Sequence, residues 1–163
     1  MVNFQPAKTI WIVRGYPDVV ASVLKAFGNM EKQVLSALKD DSTEWPGQGM
    51  TDKTRDELMV MAEPGMGDAS ASAMLWYFRN VLFFDQKFES NKQVLLISYE
   101  ALVSQPEAEV KKICHFIGIE YYARMIKGIF SSSINRRKQP DIDPQIRVLC
   151  DDLQLKFKKM LEL

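Results

Sequence analysis

Residues 94–119, VLLISYEALVSQPEAEVKKICHFIGI, decide the fold. The run Val94-Leu95-Leu96-Ile97-Ser98-Tyr99 is apolar without polar alternation, the pattern of a strand in a parallel sheet covered on both faces. Ser104 and Glu107 stand at capping-box spacing, and Pro106 falls in the first turn of the following helix. Val110, Ile113, Cys114 and Ile117 then recur at helical spacing until Gly118 stops the helix. The stretch therefore predicts a strand–loop–helix unit.

Toward the N-terminus, Thr9-Ile10-Trp11-Ile12-Val13 reads as a second strand buried on both faces, ending at Arg14 and followed by the turn residues Gly15-Tyr16-Pro17. Pro17 suits the first turn of a helix, and Val19, Val20, Val23, Leu24 and Phe27 repeat along it. A further helix runs through Val34, Leu35 and Leu38 before a polar loop from Asp40 to Gly49. Asp52–Ala62 is predicted helical, Glu63-Pro64-Gly65-Met66-Gly67 breaks it, and Ser70–Phe88 forms a long helix whose Trp76, Tyr77, Phe83 and Phe84 make a core stripe. Toward the C-terminus come a short helix near Tyr122–Lys127, a polar and basic loop from Phe130 to Pro140, and an amphipathic helix carrying Ile146, Leu149, Leu153, Phe157 and Leu161. Strands followed by helices define an α/β class, mostly helical with few parallel strands. The expected organisation is one domain over residues 1–163, with 40–69 as a variable loop and helix insertion.

A chain of 163 residues, 47% apolar, is long enough to bury roughly 70% of its unfolded surface in one core. Lysine plus arginine and aspartate plus glutamate are equal at 21 each, so no global field draws nucleic acid or an anionic membrane. Any anion site must be local. Cys114 and Cys150 show neither CxxC nor metal-ligand spacing and read as small buried hydrophobes, with no metal expected. No stretch reaches the ~18 apolar residues of a membrane span, and MVNFQPAK lacks a signal-peptide core.

Three groups could carry chemistry. Arg14 at a strand end and Ser22 in the second turn of the next helix could hold a phosphate, with help from that helix's N-terminal amides and dipole. Ser131–Lys138 gathers three hydroxyls with Arg136, Arg137 and Lys138, as a localised anion site requires. Tyr99 ends the second strand at the same edge of the sheet as Arg14. Each alone is more often an ordinary surface or core feature.

Together they stand in the order and setting of one family. The segment KTIWIVRGYPDVVASVLKAF resembles the strand–turn–helix of sulfotransferases that use 3′-phosphoadenosine 5′-phosphosulfate (PAPS), in which an arginine and a serine, eight apart like Arg14 and Ser22, hold the 3′-phosphate. The segment that opens at Val94 is similar to the family's second diagnostic stretch, whose tyrosine, here Tyr99, lies near the adenine. SSSINRRKQP resembles the late loop that returns basic residues to the 3′-phosphate, with Arg136, Arg137 and Lys138 as candidates. Gly15 and Tyr16 depart from the commoner acidic or amide residue and shorter turn.

The resemblance implies a partial P-loop-type three-layer sulfotransferase fold, a PAPS or adenosine 3′,5′-bisphosphate cosubstrate, and transfer of a sulfuryl group to a hydroxyl or amine acceptor of unread identity. It also implies a cytoplasmic or Golgi-lumen setting. Family members carry about a hundred residues before the arginine strand, including the loop around the 5′-phosphosulfate, a supporting lysine and often a catalytic histidine. Only seven residues precede Lys8 here, so the expectation is a C-terminal part without catalytic residues of its own. The GxG pairs at 47–49 and 65–67 lack the lysine of a phosphate loop, and His115, on the helix after Tyr99, reads as a helix-end residue. The alternative is a non-catalytic nucleotide-binding or interaction module on the same fold. Two apolar strands without neighbours predict association with another chain, as a homo-oligomer or with a missing N-terminal half, or else a sheet covered by helices.

Overall fold

The computed structural model describes residues 7–39, 48–130 and 140–162. Strands β1 (Thr9–Val13) and β2 (Val94–Ser98) lie side by side in parallel, with Trp11 beside Leu96 and Val13 beside Ser98. Between them run α1 (Tyr16–Ala26), α2 (Met30–Lys39), α3 (Asp52–Met59) and α4 (Gly67–Asp85). After β2 come α5 (Tyr99–Ser104), α6 (Pro106–Ile117) and α7 (Pro144–Leu161). Short 3-10 turns occupy Phe88–Ser90 and Ala123–Ile126.

Helix α4 is the axis of the core. Its Ala71, Ala73, Met74, Trp76, Phe78 and Phe83 are buried on several sides, and α1, α2 and α7 all pack on it. A helix apolar around its circumference is stable only when enclosed in this way. Phe83 joins the layers, lying 5.6 Å from Trp11 of β1 and 5.4 Å from Phe157 of α7 between ring centroids. Burying each such ring contributes about 1.5–3 kcal/mol by area alone. The stripe Ile146, Cys150, Leu153 and Phe157 fixes how α7 sits on α4.

Several details differ from the sequence reading. The long helix runs Gly67–Asp85, and Phe88 belongs to a separate turn because Lys87 takes a left-handed conformation at φ +56°. Helix α3 ends at Met59. Its N-cap Thr51 accepts from the Thr54 amide at 3.2 Å, and Asp85 accepts from the Thr54 hydroxyl at 2.9 Å, tying α3 to the end of α4.

Ser104 and Glu107 do not form a capping box. Ser98 caps a helix first, accepting from the Ala101 amide at 3.2 Å. Ser104 therefore ends α5 and donates back to the Glu100 carbonyl at 2.7 Å, while Gln105 stands at the N-cap position of α6 without a capping side-chain bond. Gly118 does end α6, at φ +83°.

Nor are both strands buried on both faces. Trp11, Val13, Val94 and Leu96 face the α4 side, and Ile97 on the opposite face is fully buried where α6 crosses β2. Its neighbour Ile12 on β1 is 48% exposed, because helical cover on that face stops at β2. The helix-covered sheet is thus realised on one face and only half realised on the other. Cys114 and Cys150 are buried thiols, as their setting predicts.

Candidate functional site

The parallel register builds the site. Val13 and Ser98 are the last paired residues, so Arg14 and Tyr99 leave the sheet side by side at its C-terminal edge. That edge is where open α/β sheets bind ligands. The guanidinium carbon of Arg14 stands 4.6 Å from the centroid of the Tyr99 ring, within cation–π range. One Arg14 nitrogen is 3.6 Å from a carboxylate oxygen of Asp18, one helical turn on. From α4, the Trp76 indole N–H donates to the Arg14 carbonyl at 2.9 Å and fixes the backbone under the side chain.

Ser22 occupies an exposed position in the second turn of α1. It stands four residues after Asp18, as Asp18 does after Arg14, so Asp18 and Ser22 share a helix face. Arg136, Arg137 and Lys138 lie outside the described residues.

The turn between Arg14 and α1 corrects one expectation about anion binding. Gly15, the N-cap of α1, has no capping side chain, and two of the amides expected to be open to a phosphate are already engaged. The Gly15 N–H donates to Glu100 at 2.9 Å and the Tyr16 N–H donates to Gln154 at 3.1 Å. Glu100 is held in turn by the Ser98 hydroxyl, which donates to its other oxygen at 2.9 Å. A Cβ on Gly15 would come within 3.4 Å of the Gln154 oxygen and 3.5 Å of a Glu100 oxygen, so glycine leaves room for both acceptors. The Gly15 and Tyr16 amides are thus occupied by side chains of this chain, and Arg14 stands beside them.

Tyr16 accounts for the unusual turn sequence. Its ring is only 2% exposed and lies 5.6 Å from Trp76, and its hydroxyl donates to Asp151 at 2.8 Å. Burial and the Asp151 carboxylate together push its hydroxyl up to about 12. A buried tyrosine thus replaces the shorter turn and docks it against α7.

The turn at Gly65-Met66-Gly67 is likewise occupied from within. Its Gly65 and Gly67 amides donate to the two oxygens of Glu31, at 2.7 and 2.8 Å. Asp68 accepts from the Glu31 amide at 3.0 Å, completing the clasp. His115 is exposed in the last turn of α6. Among the described residues, no cluster of three or more metal-ligating side chains occurs and no helix is long and apolar enough to cross a membrane.

Sequence reasoning placed Arg14 correctly just past β1 but put Tyr99 at the end of β2, where it is the first residue of α5, and it missed Asp18, Trp76, Glu100, Asp151 and Gln154. The Asp18 pairing was signalled by its four-residue spacing from Arg14. The others act across the tertiary fold and leave no local signature.

The family model for the sulfotransferase domain matches residues 2–139. The chain belongs to the sulfotransferase domain family. No curated protein and no solved structure matches it.

Proposed function

We propose that the Arg14–Tyr99 corner is the nucleotide-recognition part of a PAPS-dependent sulfotransferase, holding the 3′-phosphate and adenine while a sulfuryl group passes to a hydroxyl or amine acceptor. The observation that carries this reading is the stacking of Arg14 against Tyr99 at 4.6 Å, at the C-terminal edge of the sheet. A guanidinium offers forked donors to phosphate oxygens, and the Tyr99 ring gives a flat apolar surface to a purine. Ser22 and the Arg136-Arg137-Lys138 loop would complete the phosphate contacts. PAPS supplies the activated sulfuryl group. The residues named here bind and orient the nucleotide, which lowers the entropic cost of reaction without making or breaking bonds.

The fit is local. Arg14 shares its charge with Asp18, so a bound phosphate must compete with a carboxylate 3.6 Å away. Calorimetry with adenosine 3′,5′-bisphosphate on wild type and Arg14→Ala tests the assignment. Loss of a charged donor should weaken binding by about ten- to a hundredfold. No heat of binding by wild type at millimolar ligand would sink the reading.

A further inference from the structure

Helix α7 begins at Pro144, beyond the residues 2–139 that match the family, yet it reaches the turn that carries Arg14. Asp151 and Gln154 lie three apart and so share a helix face. Gln154 accepts from the Tyr16 amide at 3.1 Å and Asp151 accepts from the Tyr16 hydroxyl at 2.8 Å. Both positions are fixed by the core stripe of α7, where Cys150 and Leu153, their immediate neighbours, are buried against α4. We propose that α7 positions the Arg14 turn, with Gln154 and Asp151 as positioning residues of the anion site.

The geometry supports more than general packing. Tyr16 would remain anchored by its buried ring alone, but a ring can pivot about its side-chain bonds and leave the backbone loose. The Gln154 contact removes that freedom at the peptide, two residues from the guanidinium. Glu100 does the same at Gly15 from the other side, and the Trp76 indole holds the Arg14 carbonyl from below. The turn is therefore gripped from β2–α5, α4 and α7, and of these only α7 lies wholly outside the family match.

As a role in ligand binding the inference rests on the nucleotide reading, so its test has one arm that needs no ligand. Amide hydrogen exchange of Gly15 and Tyr16 should be measured in the full chain for wild type, Gln154→Leu and Gln154→Glu. The leucine variant should exchange about tenfold faster at Tyr16, the effect of losing one hydrogen bond, with the α7 amides near Leu153 unchanged. The glutamate variant keeps an acceptor oxygen and should restore slow exchange. In the second arm, Gln154→Leu should bind adenosine 3′,5′-bisphosphate about tenfold more weakly.

Unchanged exchange at Tyr16 in Gln154→Leu overturns the proposal, as does faster exchange with undiminished nucleotide affinity. Faster exchange together with no binding by wild type would remove the nucleotide reading and leave the positioning of the turn by α7 standing.

Discussion

Arg14 and Tyr99 are far apart in the chain, yet they meet as a cation over an aromatic face because their strands pair in parallel with Val13 beside Ser98. The contact makes the two side chains one surface. Tyr99→Phe should keep nucleotide affinity near wild type, since the ring remains. Tyr99→Leu should lose about 0.5–2 kcal/mol from cation–π and stacking contributions, read by calorimetry with adenosine 3′,5′-bisphosphate.

Asp18 tempers the charge of Arg14 at 3.6 Å and is only 14% exposed. Replacing it with asparagine keeps the shape and removes the competing carboxylate. The Asp18→Asn variant should bind the bisphosphate about two- to fivefold more tightly at low salt, in keeping with the modest worth of part-exposed pairs. The advantage should shrink as ionic strength rises to ~0.15 M, where the screening length is about 8 Å. Titrations at two salt concentrations decide it.

Trp76 links the core to the site through its bond to the Arg14 carbonyl, and it is 4% exposed. Trp76→Phe leaves that carbonyl without its indole donor, which should cost about 1–3 kcal/mol in urea denaturation and weaken nucleotide binding as well. An unchanged midpoint would show that the bond contributes little.

Glu31 fills the Gly65-Met66-Gly67 turn with both of its oxygens. Glu31→Ala should cost about 0.5–1.5 kcal/mol per hydrogen bond lost. Gly65→Ala should cost about 1–2 kcal/mol by a separate route, because Gly65 sits at φ +93°, where a side chain is strained. Denaturation of each variant and of the pair would show whether the two effects are coupled.

Alkaline pH should unfold the protein in a defined window. Burial is the first cause that raises Tyr16, Tyr77 and Cys150, each to about 12, with the Asp151 carboxylate adding to Tyr16 and Cys150 and Glu57 to Tyr77. The unfolded chain releases the thiol proton near 9.0 and the phenol protons near 10.0, while the native state keeps them. Native protein then binds more protons than unfolded, so stability falls as pH rises through this range. Denaturation midpoints should be flat below pH 9 and decline toward 12, with a shallower decline in Tyr16→Phe.

The strands, the helices around them and the location of Arg14 and Tyr99 were legible in the sequence because they depend on local periodicity and turn chemistry. Thr9–Val13 and Val94–Tyr99 read as strands, the second one residue longer than β2, and Gly118 ends its helix because the backbone there needs a positive φ. The capping box at Ser104 failed because Ser98, an equally suitable cap, acts six residues earlier. The extent of strand burial failed because an apolar run records what could be covered, and only the packing of α4 and α6 decides what is.

Sequence alone thus determined the residue types at the strand ends and hence the resemblance to sulfotransferases that use PAPS. Tertiary structure alone decided that Glu100 and Gln154 occupy the turn amides and that Tyr16 is locked to Asp151. The reason is physical. A strand or helix reports its own hydrogen bonds through spacing along the chain, whereas a polar side chain on an amphipathic helix such as α7 carries no mark of which distant amide it will satisfy until the core stripe beside it has packed.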